Sequence, residues 1–133
     1  MNKIEIIRPD DWHVHFRDND MLKAVVPETA KHFNRALVMP NIIPPVRTGN
    51  DANCYKNKIM DSLSPKNTFI PLMTIYLTEQ TNIKDLKESY KNKYVFGAKL
   101  YPAGATTNSE SGVKNIDKIL PLLEIMSKIG MPL

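Results

Sequence analysis

"TFIPLMTIYL", Thr68–Leu77, is the stretch whose reading decides the fold. It is apolar at both odd and even positions, whereas a strand with one wet face alternates. A strand covered on both faces reads this way, and parallel sheets with helices on their faces are where such strands occur. The run is the longest apolar one in the chain and falls well short of the about 20 residues that cross a bilayer.

Working outward, β-rich runs recur at Asp11–Phe16, Ala36–Met39 and Tyr94–Tyr101. Between and after them lie stretches with helical patterning, Asp20–His32, Asn50–Leu63, Ile83–Tyr90 and Ile116–Ile129. The last carries Ile116, Ile119, Leu120, Leu123, Ile125, Met126 and Ile129 as a broad apolar face. Asn50, Thr81 or Asn82, and Asn115 are the expected helix caps, and Gly130 sits where a left-handed C-terminal glycine belongs. Strand–helix alternation predicts an α/β fold with a parallel sheet. Four βα units fit either a compact doubly wound sheet or the first half of a (β/α)8 barrel, which takes about 250 residues when complete. The apolar "MPL" at Met131–Leu133 begins a fifth strand-like run. The expectation is therefore that residues 1–133 are the N-terminal half of one (β/α)8 TIM barrel catalytic domain, in a truncated chain. A stand-alone α/β binding module is the competing reading.

Composition narrows the function classes. A hydrophobic share of 42% and a charged share of 24% are those of an ordinary globular domain. The net charge of +4 comes from lysines scattered among acidic residues, without interleaved aromatics, which speaks against a nucleic-acid surface. Cys54 is the only cysteine, so neither an intrachain disulfide nor a cysteine-based zinc finger is open to the chain. "MNKIEIIRPDDW" lacks the apolar core of a signal peptide, and a cytoplasmic protein without membrane contact is expected.

The unusual polar residues fall at or just past strand C-terminal ends, the end that carries chemistry in barrel enzymes. In "DDWHVHFRD", Asp10–Asp18, strict alternation places His13, His15 and Arg17 on one face and Trp12, Val14 and Phe16 on the other, under the helices. The histidines are either a metal pair or ordinary hydrogen-bonded strand residues. Asn41 follows "ALVMP" as a turn residue or a ligand. In "VFGAKLYP", Lys99 shares a face with Val95, Gly97 and Tyr101, with Phe96, Ala98 and Leu100 turned toward helices. An ammonium in an apolar strand costs several kcal/mol unless paired. Lys99 therefore either reaches a carboxylate at the strand end or acts as a neutral amine, a nucleophile able to take up carbon dioxide as a carbamate. The carbamate's oxygens together with imidazoles would suit zinc. The loop "YPAGATTNSESG" is a surface excursion or a lid, with Thr106 and Thr107 as hydroxyl donors to an anion.

Taken in order, "RPDDWHVHFRDNDML", "VMPNIIPPV", "PLMTIYLT" and "GAKLYPAGATTNS", with "MSKIGMPL" at the end, resemble the dihydroorotases of the shorter, bacterial-type branch of the amidohydrolase superfamily. The resemblance runs through essentially the whole chain. It implies a hydrolase of pyrimidine biosynthesis that interconverts dihydroorotate and N-carbamoyl-L-aspartate, with two zinc ions per subunit bridged by a carboxylated lysine and by hydroxide. By position it implies that His13 and His15 bind the more buried zinc and that Lys99 is the carboxylated bridge. Arg17 and Asn41 hold the substrate carboxylate, and Thr106 and Thr107 belong to the loop that closes over it. The second zinc's histidines and the general base would come from later strands, and His32, in a helical stretch, cannot replace them. Asn19 stands where many relatives have glycine, and asparagine tolerates the left-handed backbone such a turn needs. The branch implies a homodimer. The alternatives are a hydantoinase or allantoinase, or a non-catalytic relative that is a structural partner of aspartate transcarbamoylase.

Overall fold

The structure, a computed structural model, describes residues 3–133. Four strands form one sheet, β1 (Asp10–Val14), β2 (Arg35–Val38), β3 (Ile70–Tyr76) and β4 (Gly97–Lys99), all parallel and in the order β1-β2-β3-β4. Each is followed by a helix: α1 (Asn19–His32), α2 (Gly49–Asp61), α3 (Ile83–Lys91) and α4 (Leu120–Ile129). Sequential order without reversal is that of a barrel wall and excludes the doubly wound arrangement, whose strand order turns back on itself.

The run that opened the sequence reading behaves as its composition requires. Ile70↔Arg35 through Met73↔Val38 pair β3 with β2, and Thr74↔Gly97 through Tyr76↔Lys99 pair it with β4. Its odd-numbered residues, Met73, Ile75 and Leu77, join Ala36, Val38, Ala98 and Phe16 in the core beneath the helices. Leu22 and Val26 of α1, Tyr55 and Ile59 of α2, Leu86 of α3 and Met126 of α4 complete that layer. Each fully buried large apolar side chain there contributes about 1.5–3 kcal/mol.

The opposite, concave face carries Trp12, Arg35 and Phe96. The Trp12 and Phe96 ring centroids are 6.0 Å apart, although β1 and β4 are separated by two strands. A flat sheet would hold them about 14 Å apart. The wall is therefore curled, and residues of its first and last strands converge.

Strict alternation fails in β1. Asp11 pairs with Ala36 and Val14 with Val38, so Trp12 and His13 together face the single residue Leu37. This is a β-bulge, closed by the His13 amide donating to Asp11 Oδ1 at 2.9 Å. It turns Trp12 to the concave face, where it is 52% exposed beside Phe96 and under the Arg35 guanidinium, 5.7 Å away. Trp12 and Phe96 thus differ from the helix-facing positions that alternation assigns them. Val14 and Phe16 do pack outward as expected.

Helix ends follow local chemistry. Thr48, not Asn50, caps α2, in a reciprocal capping box with Asp51. Asn82 caps α3, and Gly130 ends α4 at φ 71°. The fourth helical stretch is split into a 3₁₀ turn at Ile116–Ile119, capped by Asn115, and α4 with Pro121 in its first turn. In consequence Ile116 and Leu120 are exposed, and Leu122 is buried in their stead. No helix among the described residues is long and apolar enough to cross a membrane.

Candidate functional site

The β1 bulge sets the geometry from which the site is built. With the extra residue absorbed at Trp12–His13, His13 and His15 both reach the concave side at the strand's C-terminal end. Their Nε2 atoms are 3.2 Å apart, with ring planes at 51°. Beyond β1 the chain turns sharply, with Arg17 at φ 60° and Asn19 at φ 55°. Asn19 adopts the left-handed backbone expected of it, and Asp18 caps α1 by accepting from the Asn19 amide at 2.8 Å. Arg17 is the less expected member, since a long side chain in this region costs roughly 1–2 kcal/mol. Such strain persists only where surrounding contacts impose it.

His15 is the centre on which the other polar residues converge. Burial holds its imidazole below the ordinary 6.5, and the Arg17 charge acts in the same direction. The Asn41 side chain opposes this, while His13 and Lys99 add smaller depressions. Four of the expected site residues, contributed by β1, the end of β2 and β4, thus act electrically on this imidazole. The neutral imidazole so favoured is the form that ligates metals. Lys99 is half-buried, and among the described residues its amine has neither an ion pair nor a hydrogen bond.

Three buried polar atoms have no hydrogen-bond partner among the described residues: His15 Nδ1, Arg17 Nη1 and Tyr101 Oη. Such atoms cost about 1–3 kcal/mol each when nothing satisfies them. Tyr101 was not singled out by sequence. It stacks on Tyr76 at 4.9 Å, and burial pushes its phenol up to about 12. The pattern that could have found it is parity, because it shares the Lys99 face.

Asn41 is 2% exposed and bound to the loop after β4. Its Nδ2 donates to the Thr107 carbonyl at 2.9 Å, and Asn108 Nδ2 donates back to the Asn41 carbonyl at 3.0 Å. The loop is thereby latched over the end of β2. Its stem is ordered by the Pro102↔Val113 bridge, and its turn by Ser109, whose Oγ accepts from the Thr106 amide and donates to the Thr106 carbonyl. Thr106 and Thr107 are exposed, so their hydroxyls are not among the groups packed around His15. Asn108 and Ser109, the residues that hold the loop, had only the composition of the loop as a signal.

The residues fit a zinc ion as a partial donor set. Two nitrogens on one tetrahedral zinc, each about 2.0–2.1 Å from it, lie about 3.3 Å apart, close to the observed Nε2 separation. Among the described residues no group of three or more His, Cys, Asp or Glu side chains is placed to hold a metal. His32 lies exposed in the last turn of α1.

A curled parallel wall with polar residues at the strand C-terminal ends has the architecture of part of a (β/α)8 barrel. No family model matches it. The curated dihydroorotases of Ruegeria sp. (strain TM1040) and Rhizobium rhizogenes are 55% and 53% identical over 98% and 100% of the chain. Among solved structures, the dihydroorotase of Campylobacter jejuni matches 94% of the chain at 40% identity and TM-score 0.85. The Saccharomyces cerevisiae dihydroorotase, in complex with 5-fluoroorotic acid, matches 92% at 32% identity and TM-score 0.82. Over nearly its whole length the chain is thus similar to part of these dihydroorotases. It spans 38% of the length of those curated relatives and 36% and 34% of the two solved chains.

Proposed function

We propose that the protein carrying this segment is a zinc-dependent dihydroorotase that interconverts dihydroorotate and N-carbamoyl-L-aspartate in pyrimidine biosynthesis. Residues 1–133 are the N-terminal half of its catalytic barrel. The observation that carries the reading is the pair of His13 and His15 imidazoles at the C-terminal end of β1, their Nε2 atoms 3.2 Å apart. The likeness to dihydroorotases gives that site a substrate.

In this reading His13, His15 and Lys99, the last as its carbamate, would hold the zinc centre. Bound there, the metals would supply a water acidified to near neutrality and polarise the ring carbonyl. The chain's own residues do the rest of what this half contributes. Arg17 offers its unpartnered Nη1 to the substrate carboxylate as one arm of a guanidinium fork, and the Asn41 amide adds a donor. One N–H of Asn41 Nδ2 is held by the Thr107 carbonyl, which leaves the second for the substrate. Thr106 and Thr107, exposed at the loop tip, then supply hydroxyls from above. The 5-fluoroorotic acid carried by the yeast relative is a pyrimidine carboxylate, the ligand class this clamp suits. A homodimeric assembly and a cytoplasmic setting rest on the resemblance alone.

The test is the full-length protein, assayed in both directions with its metal content measured, beside a Lys99→Ala variant. Wild type turns over both acids. The variant loses zinc and falls by about 1,000-fold or more, the several kcal/mol a metal centre supplies. Unchanged zinc and unchanged turnover in the variant remove Lys99 from the mechanism.

A further inference from the structure

The outer helix α2 grips the β1–α1 turn at two points one helical turn apart. The Tyr55 hydroxyl donates to the Arg17 carbonyl at 2.5 Å, and Lys58 Nζ is 2.7 Å from Asp18 Oδ2. The two contacts differ in kind. Lys58 is half exposed, and a surface ion pair of this sort holds little. Tyr55 is 2% exposed in the core, and burial, then the Asp18 carboxylate, push its phenol well above its ordinary range, so it remains a donor at every working pH. Its acceptor belongs to the residue with a left-handed backbone and an unpartnered, buried guanidinium nitrogen. Nothing else among the described residues donates to the Arg17 carbonyl.

We propose that Tyr55 is a positioning residue for substrate binding, fixing the strained Arg17 backbone so that its guanidinium is aimed in advance at the substrate's carboxylate. This rests on the dihydroorotase reading and extends it to a residue that touches neither substrate nor metal. A rotation at Arg17 moves the guanidinium by the full length of its side chain, so a single backbone hydrogen bond governs a distant tip. The clamp acts on the part of the acid remote from the scissile amide. Loosening it therefore weakens ground state and transition state together, which raises KM and leaves kcat in place.

The experiment compares full-length wild type with Tyr55→Phe, Arg17→Ala and Ile59→Val, measuring kcat and KM for dihydroorotate, zinc content and Tm. Ile59 is a fully buried apolar residue of α2, one turn from Tyr55, and its variant reports simple loosening of the helix. Tyr55→Phe, which deletes only the hydroxyl, is expected to raise KM about 5- to 10-fold, the worth of one hydrogen bond. Its kcat stays within about twofold and its zinc is unchanged. Ile59→Val lowers Tm at unchanged KM. Three results overturn the proposal. If wild type does not turn over the acid, the dihydroorotase reading falls and takes this role with it. If Arg17→Ala raises KM and Tyr55→Phe does not, the positioning role alone falls. If Ile59→Val raises KM as much as Tyr55→Phe at equal loss of Tm, the effect is that of a softened helix.

Discussion

Gly112 shows how little freedom a single position can have. A Cβ there would stand 2.3 Å from the Tyr101 carbonyl oxygen and 2.9 Å from that of Ser109, both backbone atoms that cannot swing away. Gly112→Ala is expected to cost about 2–4 kcal/mol, read as a fall in Tm, and to unlatch the loop from Asn41. His15 is constrained electrically. Because its folded-state value lies below 6.5, the folded protein binds fewer protons than the unfolded chain in the interval beneath that value. Stability is therefore full above pH 6.5 and declines as pH falls through the interval. Denaturant unfolding of the metal-free protein between pH 7.5 and 5 should show that slope, and His15→Gln should flatten it.

At the scale of elements, the caps decide where chemistry can be placed. Thr48 and Asp51 satisfy each other's backbone amides at the start of α2, and Thr48→Ala should cost about 1 kcal/mol in chemical denaturation. Glu79, just after β3, accepts from the Lys114 and Asn115 amides and from Lys118, so it ties the far stem of the latched loop to the sheet. The Lys118 hydrogen bond, followed by the Asn115 amide, holds its carboxyl below the ordinary 4.5. Its contribution is present above that value and is lost as pH falls through the lowered one. Glu79→Gln should therefore flatten the acid limb of stability below pH 4.5 while leaving the region above pH 6 unchanged in slope.

The elements were legible in the sequence because apolar periodicity and caps are local. The four strands, four helices, Asn82, Asn115 and Gly130 all follow from windows of a dozen residues. What was not legible depends on contacts distant in the chain. Trp12 and Phe96 have the parity of helix-facing residues, and only pairing with β2 shows the extra residue that turns Trp12 inward. Pro121 split the last helix at a place where its apolar face looked continuous. In the site, His13, His15, Asn41 and Lys99 were visible as polar residues at strand ends. Tyr101, Asn108 and Tyr55 were not, because a tyrosine or asparagine in a plausible core or loop carries no mark until its partner is seen.

For the molecule as a whole, curl is the decisive property. It brings β1 and β4 together and leaves Trp12, Ile70 and Phe96 partly exposed on a concave face that no described residue covers. Prepared as 133 residues alone, the chain should bind a hydrophobic dye and self-associate with rising concentration, measured by light scattering. Replacing Trp12 and Phe96 with serine should reduce both signals. Monomeric behaviour without dye binding would show that the segment covers this face by itself.

The bulge in β1 has a consequence for insertions and deletions. This strand carries one residue more than its neighbour across a single rung, so removing one residue there would give a straighter, better-paired sheet. The fold would gain from that deletion. Val14 would keep its pairing with Val38, so His15 and Arg17 would hold their face, and only the Trp12–His13 rung would change. The bulge thus makes the two deletions unequal: removing Trp12 leaves both imidazoles, removing His13 takes one away, and a scan of deletions along β1 should find the fold kept in both and activity lost in the second.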